Sequence, residues 1–270
     1  MLSLGLAVIF GLMGVINFAH GAFYMLGAIF TWMILTYLGL SYWPALLVCP
    51  LLVGFVALIV ERFGLRYLYA VDPLYCFLFT LGFSLVAEGV LRNLYGSSGL
   101  PYNVPEQLTG AVNLGFMYMP KYRIWALLVS IFMCGGIFLL IERTRLGSIL
   151  RAASENSTIT QALGHNVPML RSLIFVLGGA LAGFAGVMAA PITQVSPLMG
   201  DDLIIVIFAI VVIGGMGSIG GSVIAGFLLG MIEALAKIWM PEASSVAIFV
   251  VMVVVLMIRP QGLFGKESAA

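Results

Sequence analysis

A chain of 270 residues that is 62% hydrophobic and only 9% charged, with a formal net charge of +1, has too little polar surface to cover a water-soluble core. The composition predicts an all-α, polytopic membrane protein. It carries no basic stripe or repeated base-stacking pattern of a nucleic-acid binder. Its three cysteines, Cys49, Cys76 and Cys134, stand in apolar runs without a CxxC or Cys/His cluster, so packing is their expected role.

A hydrocarbon core about 30 Å thick takes about 20 helical residues. Residues 1–15 are apolar but reach only about 22 Å, so the first helix is expected to be short, broken or lacking a piece. No basic region precedes it, and no removable signal peptide is expected. A polar, glycine-rich break follows over residues 11–21, containing Asn17, His20 and Gly21. Peptide groups freed by such a break persist at membrane depth only when buried in protein or facing a wet cavity. Asn17 and His20 are therefore expected to bond freed carbonyls more than substrate.

Further spans are predicted over residues 22–40, 44–60, 74–91, 124–141, 172–190 and 245–258. Glu88 with Arg92, and Glu233 with Lys237, stand four apart on apparent helices and are expected to pair. Asp201 and Asp202 open a helix, where carboxylates complement exposed N–H groups. Residues 203–238 would make one helix about 54 Å long, so the Gly214, Gly215, Gly217, Ser218 cluster is expected to divide it. Small residues after both breaks faintly suggest duplicated halves. The total is about nine passes, within a range of about 8–10.

Basic residues then sort by side. Arg62, Arg66, Arg143, Arg145, Arg151, Arg171, Arg259 and Lys266 fall on one face, against Arg92, Lys121, Arg123 and Lys237 on the other, so the first face is predicted to be cytoplasmic. Residues 1–270 read as one transmembrane domain, with a polar cytoplasmic loop at 143–171 and an outer loop at 95–122. Within the cytoplasmic loop, apolar residues return at helical spacing over 148–163 and Gly164 is a C-cap candidate. A single short amphipathic helix is expected, presenting Arg151, Glu155, Asn156 and Gln161 to a soluble partner.

Chemistry within the chain finds little support. There is no phosphate-binding Gly-x4-Gly-Lys-Ser/Thr loop, the nearest approach being residues 262–268, and no His-Glu-x-x-His, with only His20 and His165 present. Residues 96–99, Gly-Ser-Ser-Gly, continue into a polar loop rather than the apolar helix that an intramembrane nucleophile would need. No catalytic, cofactor or metal site is expected.

Ordered signatures across almost the whole chain carry a resemblance. They are Asn17-Phe18-Ala19-His20-Gly21 with Tyr24-Met25-Leu26-Gly27-Ala28, Arg143-Thr144-Arg145-Leu146-Gly147 with Arg151-Ala152, Phe184-Ala185-Gly186, Gly214-Gly215-Met216-Gly217-Ser218, and Arg259-Pro260-Gln261-Gly262-Leu263-Phe264-Gly265. With these the chain resembles the inner-membrane permeases of branched-chain amino-acid ABC importers, most closely the LivH type. Members usually carry roughly another half helix before Gly5. The resemblance implies a second permease of LivM type, two cytoplasmic ATPase subunits, a periplasmic substrate-binding protein and a place among lipid in the bacterial inner membrane. It also implies that residues 148–164 are the coupling helix that docks into an ATPase. The competing reading is a secondary transporter driven by an ion gradient, with Glu88 or His20 as the coupling site.

Overall fold

The computed structural model describes residues 1–69, 71–113, 115, 117–239 and 241–265; Lys266 lies outside them. The chain opens with α1 (Leu2–Met13), a break at 14–18, and α2 (Ala19–Tyr37). Helix α3 (Tyr42–Val60) does not stop where the apolar run ends. It passes through a π-turn at Glu61–Leu65 into α4 (Arg66–Leu68), giving 27 continuous helical residues from Tyr42 to Leu68. The wider turn keeps the helix hydrogen-bonded while rotating Glu61 inward, and this is why the span overruns the end expected at residue 60. Asp72 then caps α5 (Pro73–Tyr95), accepting the Leu74 N–H at 2.8 Å with Pro73 at the first helical position.

The loop after α5 holds a hairpin of β1 (Ala111–Asn113) and β2 (Tyr118–Pro120), antiparallel with Ala111 opposite Pro120, a small departure from the all-α expectation. The remaining helices are α6 (Lys121–Arg143), α7 (Arg145–Glu155), α8 (Ser157–Ala162), α9 (Val167–Ala189), α10 (Met199–Gly214), α11 (Ile219–Trp239) and α12 (Ser244–Ile258). Among the described residues, six helices are long and apolar enough to cross a membrane: α2, the continuous α3–α4 helix, α5, α6, α9 and α11. Length and composition thus support six crossings in a multi-pass membrane protein. A count near nine also needs the shorter helices α1, α10 and α12, of 12, 16 and 15 residues.

Short as it is, α1 is central, burying every residue from Ser3 to Ile9 among α9, α10 and α11. Around it, α2 and α9 meet backbone to backbone. Gly27 lies against the Gly183 carbonyl, and Gly186 against the Tyr24 carbonyl, so closely that neither position has room for a methyl group. On the other side of α9, Gly179 faces Ala57 and Gly183 faces Val53 of α3. Small residues permit this approach, and dispersion contacts then hold helices that hydrocarbon alone would not drive together. Phe23 of α2 fills the middle, edge-on to Phe175 at 5.8 Å and beside Phe83 at 5.7 Å.

At the opposite end from the π-turn, Tyr42, Trp43, Tyr122 and Trp125 cluster where α3 and α6 begin. The Tyr42 and Tyr122 hydroxyls are 2.9 Å apart, and Tyr122 donates to the Met188 carbonyl at 2.9 Å. Amphipathic rings of this kind suit the boundary between bilayer and water. By contrast, α6 is largely exposed along its length, and its Gly135 and Gly136 face open space.

The three free cysteines are buried, so reaction with a thiol-specific fluorophore reports unfolding. In a thermal ramp in detergent, Gly27→Val should melt well below the parent, because backbone obstructs the new side chain and the cost exceeds the about 1–3 kcal/mol of ordinary overpacking. Gly135→Ala, in open space, should stay within about 0.5 kcal/mol. Equal melting of the two variants would contradict the close α2–α9 approach.

Candidate functional site

The polar segment between α6 and α9 is two helices rather than one. Thr144 caps α7, its Oγ1 accepting from the Gly147 N–H at 3.3 Å, and Gly147 presses against the Ile141 carbonyl where a side chain would not fit. Leu150 and Ala153 bury inward. The expected continuous helix over 148–163 breaks at Asn156, which adopts extended backbone and uses its Oδ1 to accept the Ile159 N–H at 3.0 Å, starting α8. Asparagine competes with the helix for its own backbone and so favours caps over interiors.

Helix α8 then ends in a Schellman motif. The Gly164 N–H reaches the Gln161 carbonyl at 2.9 Å and the His165 N–H reaches the Thr160 carbonyl at 3.2 Å, with Gly164 at φ 88°. The C-cap role expected of Gly164 is therefore met. Asn166 starts α9 by accepting the Met169 N–H at 3.1 Å.

The four polar residues expected to face a partner divide. Glu155, Asn156 and Gln161 are exposed. Arg151 is half-exposed: its guanidinium donates to the Ile141 carbonyl and stands 3.5 Å from Glu142, fastening α7 to the last turn of α6. The segment also shows two large apolar side chains, Ile159 at 59% and Leu163 at 74% exposure, on the α8 side of the Asn156 break.

The second glycine break lies beside this segment. Gly214 ends α10 hard against Gly221, while Gly215 and Gly217 take φ of 101° and 94°, conformations that side chains rarely adopt. Ser218 opens α11 by accepting the Gly221 N–H at 3.1 Å. The chain's tail returns across the break: the Leu263 and Phe264 N–H groups donate to the Ile213 and Gly214 carbonyls at 2.8 and 3.2 Å. Gly11 of α1 sits against Gly217. A cleft of about 710 Å³ joins these pieces, with Arg151, Ser154 and Glu155 on one wall and Gly217, Ser218 and Phe264 on the other.

Asn17, His20 and Gly21 are elsewhere, inside the core. His20 is fully buried with Nε2 2.9 Å from the Leu2 carbonyl, the backbone partnership expected of it. Gly21 lies against the Gly200 carbonyl at the start of α10. Asn17 does not follow its expectation, because neither side-chain atom has a hydrogen-bond partner although the residue is buried. The freed backbone is held instead by Thr80 of α5, whose Oγ1 accepts the Phe18 N–H at 3.1 Å. Glu88 and Arg92 pair at 3.9 Å, and Glu233 and Lys237 at 2.6 Å, as their spacing implied.

One site escaped the sequence reading. Glu61 is fully buried, and its Oε2 accepts from Ser172 Oγ of α9 at 2.7 Å. The available signal was an acid directly after an apolar run and beside Arg62, in a stretch where only the arginines had been weighed.

Comparison with known proteins agrees with this architecture. The family described as branched-chain amino acid transport system permease component matches residues 1–256. The chain belongs to that family. It is 28% identical to the high-affinity branched-chain amino acid transport system permease protein BraD of Pseudomonas aeruginosa, over 99% of this chain and 92% of the relative. It is also 28% identical to the LivH permease protein of Escherichia coli, over 99% and 91%. The LivM permease protein of the same organism matches at 28% identity over 97% of this chain and 66% of its own length. No solved structure matches.

The two-helix form of the permease segment is testable. Asn156→Ala should destabilise α8 by about 1 kcal/mol, which speeds hydrogen exchange at the Ile159 amide by about fivefold. Asn156→Ser, which keeps a capping oxygen, should leave it near the parent rate. Unchanged exchange in the alanine variant would mean that α8 does not depend on this cap.

Proposed function

We propose that this chain is the transmembrane permease subunit of an ATP-driven importer that carries branched-chain amino acids or related small solutes across the bacterial inner membrane. The observation that carries the reading is the α7–α8 segment: a polar excursion that exposes Ile159 and Leu163 beside Glu155 and Gln161, and is fastened to the bundle at both ends. Exposed apolar side chains set in a polar rim fit a protein partner. The basic residues cluster around this end, which favours its placement in the cytoplasm. The partner is then a cytoplasmic ATPase, one of two. A second permease of LivM type, a kind named among the relatives, and a periplasmic substrate-binding protein complete the assembly.

In this mechanism ATP closes the ATPase pair, the docked segments move with it, and the permease pair alternates between outward and inward access. Nucleotide drives the change only if it stabilises one state more than the other. The glycine breaks beside the segment allow α1, α10 and α11 to shift against one another without opening unsatisfied backbone to lipid. Ion coupling through Glu88 or His20 has less to recommend it, since Arg92 and the Leu2 carbonyl already engage those groups.

Affinity purification from native membranes, followed by protein identification and an ATPase assay, tests the reading. Recovery of a second permease and ATPase subunits is expected. Burying a side chain such as Ile159 or Leu163 is worth roughly 1.5–3 kcal/mol, so Ile159→Asp or Leu163→Asp should lower ATPase recovery about tenfold or more while leaving the chain in the membrane. A chain that repeatedly emerges alone, with transport that persists without ATP, would replace this reading with a gradient-driven carrier.

A further inference from the structure

The π-turn at Glu61–Leu65 places a carboxylate inside the protein directly opposite the root of the exposed segment. Ser172, which donates to Glu61 Oε2 at 2.7 Å, lies in the second turn of α9, and α9 begins at the Asn166 cap immediately after α8. Beside it, the Arg171 guanidinium sits 5.6 Å from the centre of the Tyr69 ring. Glu61 Oε1 and the Tyr69 hydroxyl are both buried, and the hydroxyl lies within reach of the carboxylate. The carboxylate thus joins the root of α9, through Ser172, to the end of the continuous α3–α4 helix.

We propose that Glu61 is a positioning residue of the transport cycle, whose bond to Ser172 passes displacement of the α7–α8 segment to α3. A buried carboxylate at membrane depth is costly and rarely retained without a use. Its bond to Ser172 ties the α9 root to the π-turn, so motion of the segment that shifts the root acts on α3 through one defined polar contact. Above the cluster, α3 and α9 are in contact through Ala57 with Gly179 and Val53 with Gly183, a small-residue seam along which the helices can slide together. On the other flank, Arg151 fastens α7 to α6. The segment therefore has a polar tie to α6 and another, through Ser172 and Glu61, to α3, besides the apolar packing of Leu150 with Leu4 and Leu12 of α1.

This inference rests on the importer reading. The test uses the complete assembly in proteoliposomes and compares solute imported per ATP hydrolysed, with ATPase recovery measured alongside. Glu61→Ala and Ser172→Ala should each lower the ratio at least about fivefold, the equilibrium equivalent of one lost hydrogen bond, with ATPase recovery unchanged. Glu61→Gln, which keeps an acceptor oxygen for Ser172, should restore most of it, and the double alanine variant should be no worse than either single one. A ratio within about twofold of the parent in the alanine variants overturns the proposal, as does a loss that glutamine fails to rescue. If Glu61→Ala does not accumulate, Ser172→Ala decides by the same criterion. A parent chain that recovers no ATPase overturns the importer reading and this proposal together; recovered ATPase with an unmoved ratio overturns this proposal alone.

Discussion

The backbone contact between α2 and α9 is the constraint on which the rest of the fold depends. In hydrocarbon a leucine gains nothing by leaving lipid for protein, so helices associate only where surfaces fit closely enough for dispersion and weak polar contacts to accumulate. Gly27 against Gly183 and Gly186 against Tyr24 supply that fit, and Phe23 is fixed by it beside Phe175. Once α2 is set, His20 holds α1 through the Leu2 carbonyl, and Gly21 holds the start of α10 through Gly200. The first glycine break and the start of α10 are thereby referred to one seam.

Breaking a helix inside a membrane frees peptide groups that water cannot satisfy, and this protein meets the requirement with different devices at its two breaks. At the first, Thr80 reaches across from α5 to the Phe18 N–H. At the second, Ser218 caps α11 while the returning tail covers carbonyls at the end of α10. The tail contact explains Gly215 better than flexibility does: it lies so close to Gly265 that a side chain on Gly215 would push the tail away. Asn17 stands apart, since burial of a whole amide without partners costs on the order of a few kcal/mol, and the adjacent break makes that cost a local one.

Much of this was legible in the sequence because apolar run length and glycine position act directly on backbone geometry. The six long spans, the division at Gly214 to Ser218, the i,i+4 pairs and the Gly164 cap all follow from local rules. Three features did not, each for a physical reason. The π-turn changes a helix by one residue of register, which leaves hydropathy almost untouched while burying Glu61. The Asn156 break divides the expected helix because its side chain takes over the Ile159 N–H, a competition that apolar periodicity does not register. The contacts of Arg151 were hidden because its partners, Ile141 O and Glu142, lie in the preceding helix, across a corner that Gly147 makes possible.

The contact of Arg151 with α6 also bears on how the segment can work. A helix fastened at its middle by a guanidinium on α6 carbonyl and carboxylate oxygens moves with α6, whereas α8, beyond the Asn156 break, leads through its Schellman turn to the root of α9. On the importer reading the two short helices therefore divide the labour: α8 presents the apolar contact, and its displacement is resisted by α7 and passed to α9. Force applied at Ile159 and Leu163 then meets the α6–α7 corner on one side and the Ser172–Glu61 bond on the other. Because α9 packs closely on α3 through Gly179 and Gly183 while α6 is largely exposed, the α3–α9 pair rather than α6 carries the motion into the core.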